Sequence, residues 1–528
     1  MKISNLVSGS SPLKPSTGRE VFLRDLFLLL LAGICVGLYV ISTSGGFPLD
    51  DSWIHQVYGR NLAQTGQWAF VPGVPSAAST SPLYTVLLAA GYALNVPYAL
   101  WTHLIGMLSL GLMGMLAARL AELIWMAFYP VGITGANWRT RVGLAAGTAV
   151  VLTWQLVWAG AAGMETPLFA MLTLAVMWLA LRLTVPSAAS GVIFGIAGAL
   201  CILARPEGSL IVGLTGLAVL IAHRGTSSAL LRWMIGGAVG GLVTLAPYLL
   251  LNLSLTGGLL PNTAGAKFAQ HAPLLTQPYP TRLLQMTQPL LIGGQVMLVP
   301  GMVFYVIAAV RGWHRRAALL YLLPVLWCVG LIALYAARLP ASYQHGRYVL
   351  PALPSLMLIG VIGTAMLLHA LRANLLGRVL SRGLAVAAAL LIVVFTFTLG
   401  RSAYQRDVTI INQEMVAAAH WIDANIPSDD LLAIHDIGAV GYFSPRPMLD
   451  IAGLLTPEIV PLIGDPDALW TYMEQHGARY LMAFPDQVPG GDPDDPRLCE
   501  VYNTGGQASI DAGGGNMAVY RLDWSGGC

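Results

Sequence analysis

The chain has 528 residues, 56% of them hydrophobic and only 10% charged, and its mean hydropathy is +0.67. Soluble domains carry about 25% charged residues, so the composition excludes an ordinary soluble enzyme and points to a polytopic membrane protein. The formal net charge of +3 hides an uneven spread of charge along the chain, and that spread gives orientation.

Segments apolar over a spanning length, roughly 17 to 25 residues, fall near 22–42, 99–118, 142–160, 165–181, 189–204, 208–222, 233–253, 286–310, 317–336, 348–369 and 384–400. The sequence therefore predicts about 11 transmembrane helices. The first run is long and has no small-residue cleavage site before Asp50, so it reads as a signal anchor rather than a cleaved signal peptide. A further apolar run, 82–97, decides the topology. With a cytoplasmic N-terminus and 82–97 in the outer interface, the clusters Lys2/Lys14/Arg19/Arg24, Arg119/Arg139/Arg141, Arg182, Arg224/Arg232, Arg311/Arg315/Arg316 and Arg372/Arg378/Arg382 all face the cytoplasm. That is 16 of the 28 basic residues, against three acids, Glu20, Asp25 and Glu122, as the positive-inside rule expects. Were 82–97 to span, 12 of those 16 would face outward, which argues against it.

The first exterior loop, 43–98, opens with GGFPLDDSWIHQVYGRNLAQTG. Trp53, Ile54, Val57, Tyr58 and Leu62 stand at helical spacing, which predicts a short amphipathic helix at the membrane surface. One Asp suffices to cap such a helix; a second adjacent carboxylate adds repulsion and asks for another role. An extended piece, WAFVP, and the run SAASTSP follow. The membrane module is taken to end at 400. Residues 401–528 hold 18 of the 25 acids and only six basic residues, and read as an extracytoplasmic α/β layer domain. Helices are expected in VTIINQEMVAAAHWIDANI and DALWTYMEQHGA, and strands in LLAIHD, PRPMLDIAG, RYLMAFP, CEVYNT and MAVYRLDW. Cys35, Cys201 and Cys328 fall in apolar spans as small buried residues. Cys499 and Cys528 lie where oxidation is permitted, and a disulfide between them is expected.

The spans are almost free of charge. Polar residues gather where spans meet the outer face, in GMETPL (163–168), ARPEG (204–208), LPNTAGAKFA (260–269) and SYQHGRY (342–348). With the opening stretch, five loops converge on one side. Each has an ordinary explanation. Glu165 could cap the helix it precedes, Arg205 and Glu207 could form a local pair of little worth, Arg347 and Tyr348 could be interfacial anchors, and His55, one turn after Asp51, could be a solvated neighbour. Together they supply what a lipid-phosphate substrate needs: a carboxylate to take a proton from an alcohol, cations for a phosphate, and apolar surface for a chain. The alternative is a transporter or flippase of a lipid-linked sugar. Such proteins place ionisable residues and broken helices near the bilayer midplane, whereas this chain keeps its spans clean.

The order of DDSWIHQVYGRNLAQTG, STSPLYTVLL, GMETPLFAML, ARPEG, LPNTAGAK, HGRYVLPALP and HDIGAVGYFSPRPMLDIAGL resembles the polyprenyl-phosphate-dependent glycosyltransferases of the GT-C fold. Within them it is most similar to the branch that adds terminal arabinofuranose to mycobacterial cell-wall arabinan. The resemblance runs from about Asp50 into the 450s and rests on the order of the motifs rather than on any one of them. It implies an α-helical polytopic membrane protein with juxtamembrane helices, a C-terminal extracytoplasmic α/β domain and an extracytoplasmic active site at the plasma membrane. The implied reaction is inverting transfer of a sugar, such as arabinofuranose, from a polyprenyl-phosphate donor to a glycan, lipid or protein acceptor. No nucleic-acid partner is expected.

By the resemblance Asp50 matches the leading carboxylate of the acidic motif and is the expected general base, with Asp51 assisting. Arg347, Arg205 and Lys267 are expected to stabilise the departing phosphate. Asn262, Glu165, Glu207 and His345 would orient sugar hydroxyls or hold those cations, and His55, Tyr58, Arg60, Ser81 and Tyr348 complete the expected substrate site. No particular cofactor is implied; the paired Asp residues could hold a divalent cation, though two carboxylates alone make an incomplete oxygen shell. Trp53 stands where the family commonly has Tyr, and SAAS precedes TSP where it commonly has a polar or charged residue. Those departures bear on the sugar more than on the reaction class.

Overall fold

The computed structural model describes residues 18–129, 136–258, 263–312 and 317–528. In chain order come α1 (Gly18–Val40), α2 (Asp50–Thr65), the hairpin β1 (Ala69–Val71) and β2 (Val74–Pro75), α3 (Pro82–Ala93) and α4 (Tyr98–Phe128). Then follow α5 (Ala136–Val151), α6 (Trp154–Ala161), α7 (Thr166–Arg182), α8 (Ala188–Ala204), α9 (Gly208–Ala222) and α10 (Ser227–Thr256). The last helices of the bundle are α11 (Thr263–Gln270), α12 (Tyr279–Leu291), α13 (Val299–Arg311), α14 (Ala318–Arg338), α15 (Leu353–Ala370) and α16, which runs from Leu375 to Asn425. A sheet domain closes the chain with β3 (Leu432–Ile434), α17 (Gly438–Phe443), β4 (Met448–Asp450), α18 (Pro466–Gln475), β5 (Tyr480–Ala483), β6 (Leu498–Asn503) and β7 (Ala518–Leu522).

Among the described residues seven helices are long and apolar enough to cross a membrane, and eight if one bent pair is a single span. Four shorter apolar helices, α3, α7, α8 and α9, pack among them. The 12 residues of α3 reach only about 18 Å at 1.5 Å per residue, against a hydrocarbon core of about 30 Å. The span expected over 142–160 is broken. Helices α5 and α6 meet at 55°, where Thr153 is extended and the side chains of Trp154 and Gln155 donate to the Ile292 carbonyl. Helix α16 passes without interruption through the boundary placed at 400, absorbing π-turns at Thr396–Gly400 and Asn412–Val416. At the bundle end far from the sheet, Arg24 pairs with Asp25 and Glu122, Arg119 with Asp25, and Arg139 with Glu122. Two of the three acids among the basic clusters are thus neutralised on the spot.

The sheet has the order β4-β3-β5-β7-β6, parallel across β4, β3 and β5 and antiparallel across β5, β7 and β6. Every strand read from the sequence is present. One face packs with α18 through Trp470, Leu481 and Tyr520. The other shares a core with α2 and α16, built from Trp53, Val57, Tyr58, Phe70, Ile411, Ile434, Val440 and Val519. This shared core changes the reading of α2. It does not lie open at the membrane surface: ten of its 16 residues are buried, because the sheet domain covers the face expected to meet lipid. The Trp53 ring centroid lies 5.0 Å from that of Phe47, 4.9 Å from Tyr442 and 4.8 Å from Phe443. Cys499 and Cys528 are bridged, with Cα atoms 5.5 Å apart, and tie the last strand pair to the C-terminus.

Candidate functional site

A cavity of about 350 Å³ lies where α2, the start of α7, the α8–α9 turn, α11, the end of α14 and the Tyr343–Tyr348 turn meet. Four cations line it, Arg205, Lys267, Arg338 and Arg347, against three carboxylates, Asp51, Glu165 and Glu207. Leu454 of the sheet domain closes one side. The loop carrying Leu454 is held by Asp450, whose carboxylate accepts from the backbone N–H groups of Ala452 and Leu455.

The charges form two sets joined by Tyr348. In the first, Asp51 Oδ2 lies 2.5 Å from Arg347 Nη1 and 3.5 Å from Lys267 Nζ. In the second, Glu165 binds Arg205 Nη1 at 2.7 Å and His55 Nε2 at 3.2 Å, while Arg205 reaches Glu207 at 3.3 Å and the Tyr335 hydroxyl at 2.9 Å. Tyr335 donates in turn to Glu207. The Tyr348 hydroxyl accepts from Arg347 Nη2 at 3.1 Å and lies 3.5 Å from Lys267 Nζ, and its ring sits under the Arg205 guanidinium at 5.7 Å. Such contacts fix the cations before any ligand arrives, and a cation over a tyrosine face is itself favourable.

The electrostatics follow from the pairs. Burial opposes ionisation of Asp51, but Arg347 and Lys267 outweigh it and hold its carboxyl well below the usual range. Glu165 is likewise lowered: burial works against its charge, and the His55 hydrogen bond and Arg205 overcome burial. The ordinary explanations cover only part of this cluster. Glu165 sits at the N-cap of α7 without its side chain capping, and Arg205 makes its shorter contact with distant Glu165 rather than with Glu207 two residues on. Pro206, having no N–H to continue α8, forces the reversal that leaves Arg205 extended and aimed at the cavity.

Eight of the residues expected from the sequence come together here, namely Asp51, His55, Glu165, Arg205, Glu207, Lys267, Arg347 and Tyr348. Asp50 does not. Its carboxylate accepts from the backbone N–H of Gly438 at 2.7 Å and of Ala439 at 2.8 Å, the first turn of α17. Burial, with the Asp436 and Asp51 charges, pushes its pKa up to about 7 against the pull of those two N–H bonds. Nor does either Asp cap α2, whose N-cap is Leu49 with no side-chain bond. Arg60 grips the other end of α17, donating to the carbonyls of Tyr442 and Gly441. Gly438 permits the approach: a Cβ there would stand 2.2 Å from the Asp50 carbonyl oxygen.

Tyr58 is also structural, bonded to Ser76 Oγ at 2.6 Å and to the Ala78 N–H, and holds the loop whose Ala78 and Thr80 reach the cavity. Ser81 is fully buried at the N-cap of α3, next to Thr80 but off the cavity wall. His345 points into a different cavity, its Nε2 2.7 Å from Asp407 Oδ2. Asn262 lies outside the described residues. The sequence reading missed Tyr335 and Arg338. Arg338 had a signal, since it stands two residues past the span expected over 317–336, at the face where the other polar clusters gather. The cation site proposed for the paired Asp residues does not form, because successive residues at a helix start diverge and each carboxylate has other partners. Among the described residues no group of three or more His, Cys, Asp or Glu could hold a metal.

Three solved structures can be set beside this arrangement. ArnT from Cupriavidus metallidurans bound to undecaprenyl phosphate matches 96% of this chain and 99% of its own, at 16% identity and a TM-score of 0.57. The Archaeoglobus fulgidus oligosaccharyltransferase AglB, in complex with an inhibitory peptide and a dolichol-phosphate, matches 95% of this chain and 74% of its own, at 12% identity and 0.55. A mutant form of arabinofuranosyltransferase AftD from Mycobacteria matches 98% of this chain and 42% of its own, at 16% identity and 0.52. A family model described as a domain of unknown function (DUF8728) matches residues 403–520. No curated protein matches the chain in sequence. The chain has the GT-C fold, a multi-pass membrane bundle with a C-terminal sheet-containing domain.

Proposed function

We propose that the protein is a membrane glycosyltransferase that moves a sugar from a polyprenyl-phosphate donor to an acceptor hydroxyl on a glycan, lipid or protein, with inversion at the anomeric carbon. The observation that carries this is the preorganised cluster of Arg205, Lys267 and Arg347, the last two paired with Asp51, in one small cavity beside apolar bundle surface. The lipid phosphates named with ArnT and AglB support a polyprenyl phosphate as donor carrier. AftD makes a pentose such as arabinofuranose the first sugar to try. The distribution of basic residues supports a cytoplasmic N-terminus at the plasma membrane, with the cavity and the sheet domain outside.

In the mechanism the donor phosphate binds Arg347, Lys267 and Arg205. By competing for Arg347 and Lys267 it frees Asp51 from the pairs that keep it a weak base. The acceptor oxygen attacks the anomeric carbon, the bond from that carbon to the phosphate oxygen breaks, and the acceptor proton passes to Asp51. Polyprenyl phosphate leaves, its charge held by cations already in place. His55 and Glu165 brace Arg205, and Glu207 with Tyr335 fixes its other edge. Asp51 thus takes the role that the sequence order gave to Asp50, which serves to dock the sheet domain. The test is a panel of polyprenyl-phosphate sugars with purified protein, following release of lipid phosphate. Transfer with at least one donor, and loss of donor affinity in Arg347→Ala, is expected. Hydrolysis or transfer with none of them, or unchanged donor kinetics in the variant, removes the reading.

A further inference from the structure

Beside the charged cavity lies a second one, of about 460 Å³. Trp154, Ile292 and Leu399 form an apolar wall, and His345, Ser402 and Arg406 a polar end. The His345 ring stands edge-on to Trp154 and Trp158, with centroids 5.2 and 5.1 Å away. Asp407 Oδ2 holds His345 Nε2 at 2.7 Å and accepts from Trp158 Nε1 at 3.0 Å. The other oxygen of Asp407 pairs with Arg406, whose side chain is 54% exposed.

The backbone around this cavity departs from regular helix on every side. Trp154 follows the break between α5 and α6. Leu399 lies in the π-turn Thr396–Gly400, a feature common at functional sites. Gln344, His345 and Gly346 are consecutive left-handed residues, at φ +52°, +59° and +71°. A side chain makes that conformation costly, and such outliers persist where the surroundings impose them for a purpose. The turn has a definite effect: it sends His345 into the second cavity and Arg347, two residues on, into the first. It is buttressed by the second cavity's wall, since a Cβ on Gly346 would meet Pro289 at 2.6 Å.

Depth and charge name the occupant. Helix α16 leaves its apolar stretch at Leu399 and turns polar through Arg401, Ser402 and Arg406, so the polar end of the cavity stands at headgroup level, where tryptophan also concentrates. We propose that this cavity holds the phosphate headgroup and upper chain of an anionic phospholipid of the surrounding bilayer, and that its occupancy steadies the turn positioning Arg347. The phosphate takes Arg406, leaving Asp407 to His345 and Trp158. The steadying of Arg347 rests on the transferase reading; the lipid site does not.

The experiment uses binding alone. Full-length protein in neutral detergent is titrated with phosphatidylglycerol or phosphatidylcholine and followed by native mass spectrometry. The wild type is expected to hold one phosphatidylglycerol about tenfold more tightly than phosphatidylcholine, and Arg406→Gln, at an exposed position that does not threaten folding, to lose the preference. Equal affinity for the two lipids, or an unchanged preference in the variant, overturns the site. Displacement of that phosphatidylglycerol by polyprenyl phosphate, with Arg406→Gln weakening polyprenyl phosphate equally, would assign the cavity to the carrier lipid and overturn the phospholipid assignment. For the coupling, phosphatidylglycerol should raise polyprenyl-phosphate affinity several-fold in the wild type and not in Gln344→Gly, which relaxes the turn. Affinity indifferent to phosphatidylglycerol in the wild type overturns it. A protein that binds both lipids but transfers no sugar would leave this site standing while the transferase reading fell.

Discussion

Replacing Asp51 with Asn separates the two roles a carboxylate can play in the charged cavity. As a base its removal should cost the 10²- to 10⁴-fold typical of general acid–base catalysis, equivalent to about 2.7 to 5.5 kcal/mol at 1.36 kcal/mol per tenfold. As a counter-ion it lies 2.5 Å from Arg347 and 3.5 Å from Lys267. Unit charges about 4 Å apart interact by roughly 4 kcal/mol at an effective dielectric constant of about 20, and an incoming phosphate has to displace that interaction. Deleting the carboxylate should therefore tighten binding of the free lipid phosphate, by about tenfold if a third of that energy is recovered, while abolishing most turnover. Transfer rates and equilibrium binding of polyprenyl phosphate, measured on the same Asp51→Asn preparation, give both numbers. Turnover like the wild type, or a loss of phosphate affinity in step with the loss of rate, would show that Asp51 only positions the cations.

Asp50 titrates in the folded protein near pH 7 instead of near 3.8. The folded state therefore holds its proton more tightly, and the stability this group contributes is full below pH ~4 and lost as pH rises through about 7. Hydrogen exchange at the Gly438 and Ala439 amides should quicken over that window, and Asp50→Asn should flatten the slope while leaving turnover largely intact; an unaltered slope would detach the effect from Asp50. Gly438→Ala forces a Cβ to within 2.2 Å of the Asp50 carbonyl oxygen and should destabilise docking by about 1–3 kcal/mol, the usual range for overpacking, read as a lower thermal midpoint. Cys499→Ser opens a 29-residue separation closed by the disulfide and should cost about 3–4 kcal/mol in the chain-entropy model, seen in denaturation of the sheet domain with the helical signal retained.

Much of the site was legible because charge is so scarce in the bundle. Only seven acids precede residue 401, and four of them, Asp50, Asp51, Glu165 and Glu207, bear on the cavity or its immediate scaffold. The motifs GMETP, ARPEG and HGRY therefore marked the cavity wall without any knowledge of packing. Direction was not legible. Which way Asp50 points depends on α17, 388 residues away, and helical spacing says only that Asp50 and Asp51 diverge, not which meets the cations. His345 was misplaced for a different reason, since a left-handed turn reverses the side expected of neighbours in an ordinary loop. Tyr58 and Arg60 showed the right chemistry for a ligand and spend it on holding the chain. The continuity of α16 through residue 400 was not legible either, because hydropathy reports where lipid ends and a helix has no structural reason to end with it.

That unbroken helix bears on how the charged cavity can be reached. At 1.5 Å per residue its 51 residues measure roughly 75 Å, a mast that carries the sheet domain on the same rod that crosses the bilayer. A domain on a loose tether can swing aside like a hinged cap. One carried on a mast, and fused to α2 through a common core, cannot lift without bending a helix and exposing Trp53 and Phe70. Whatever reaches Asp51 therefore does so with the sheet domain still in place, its Leu454 part of the cavity wall throughout.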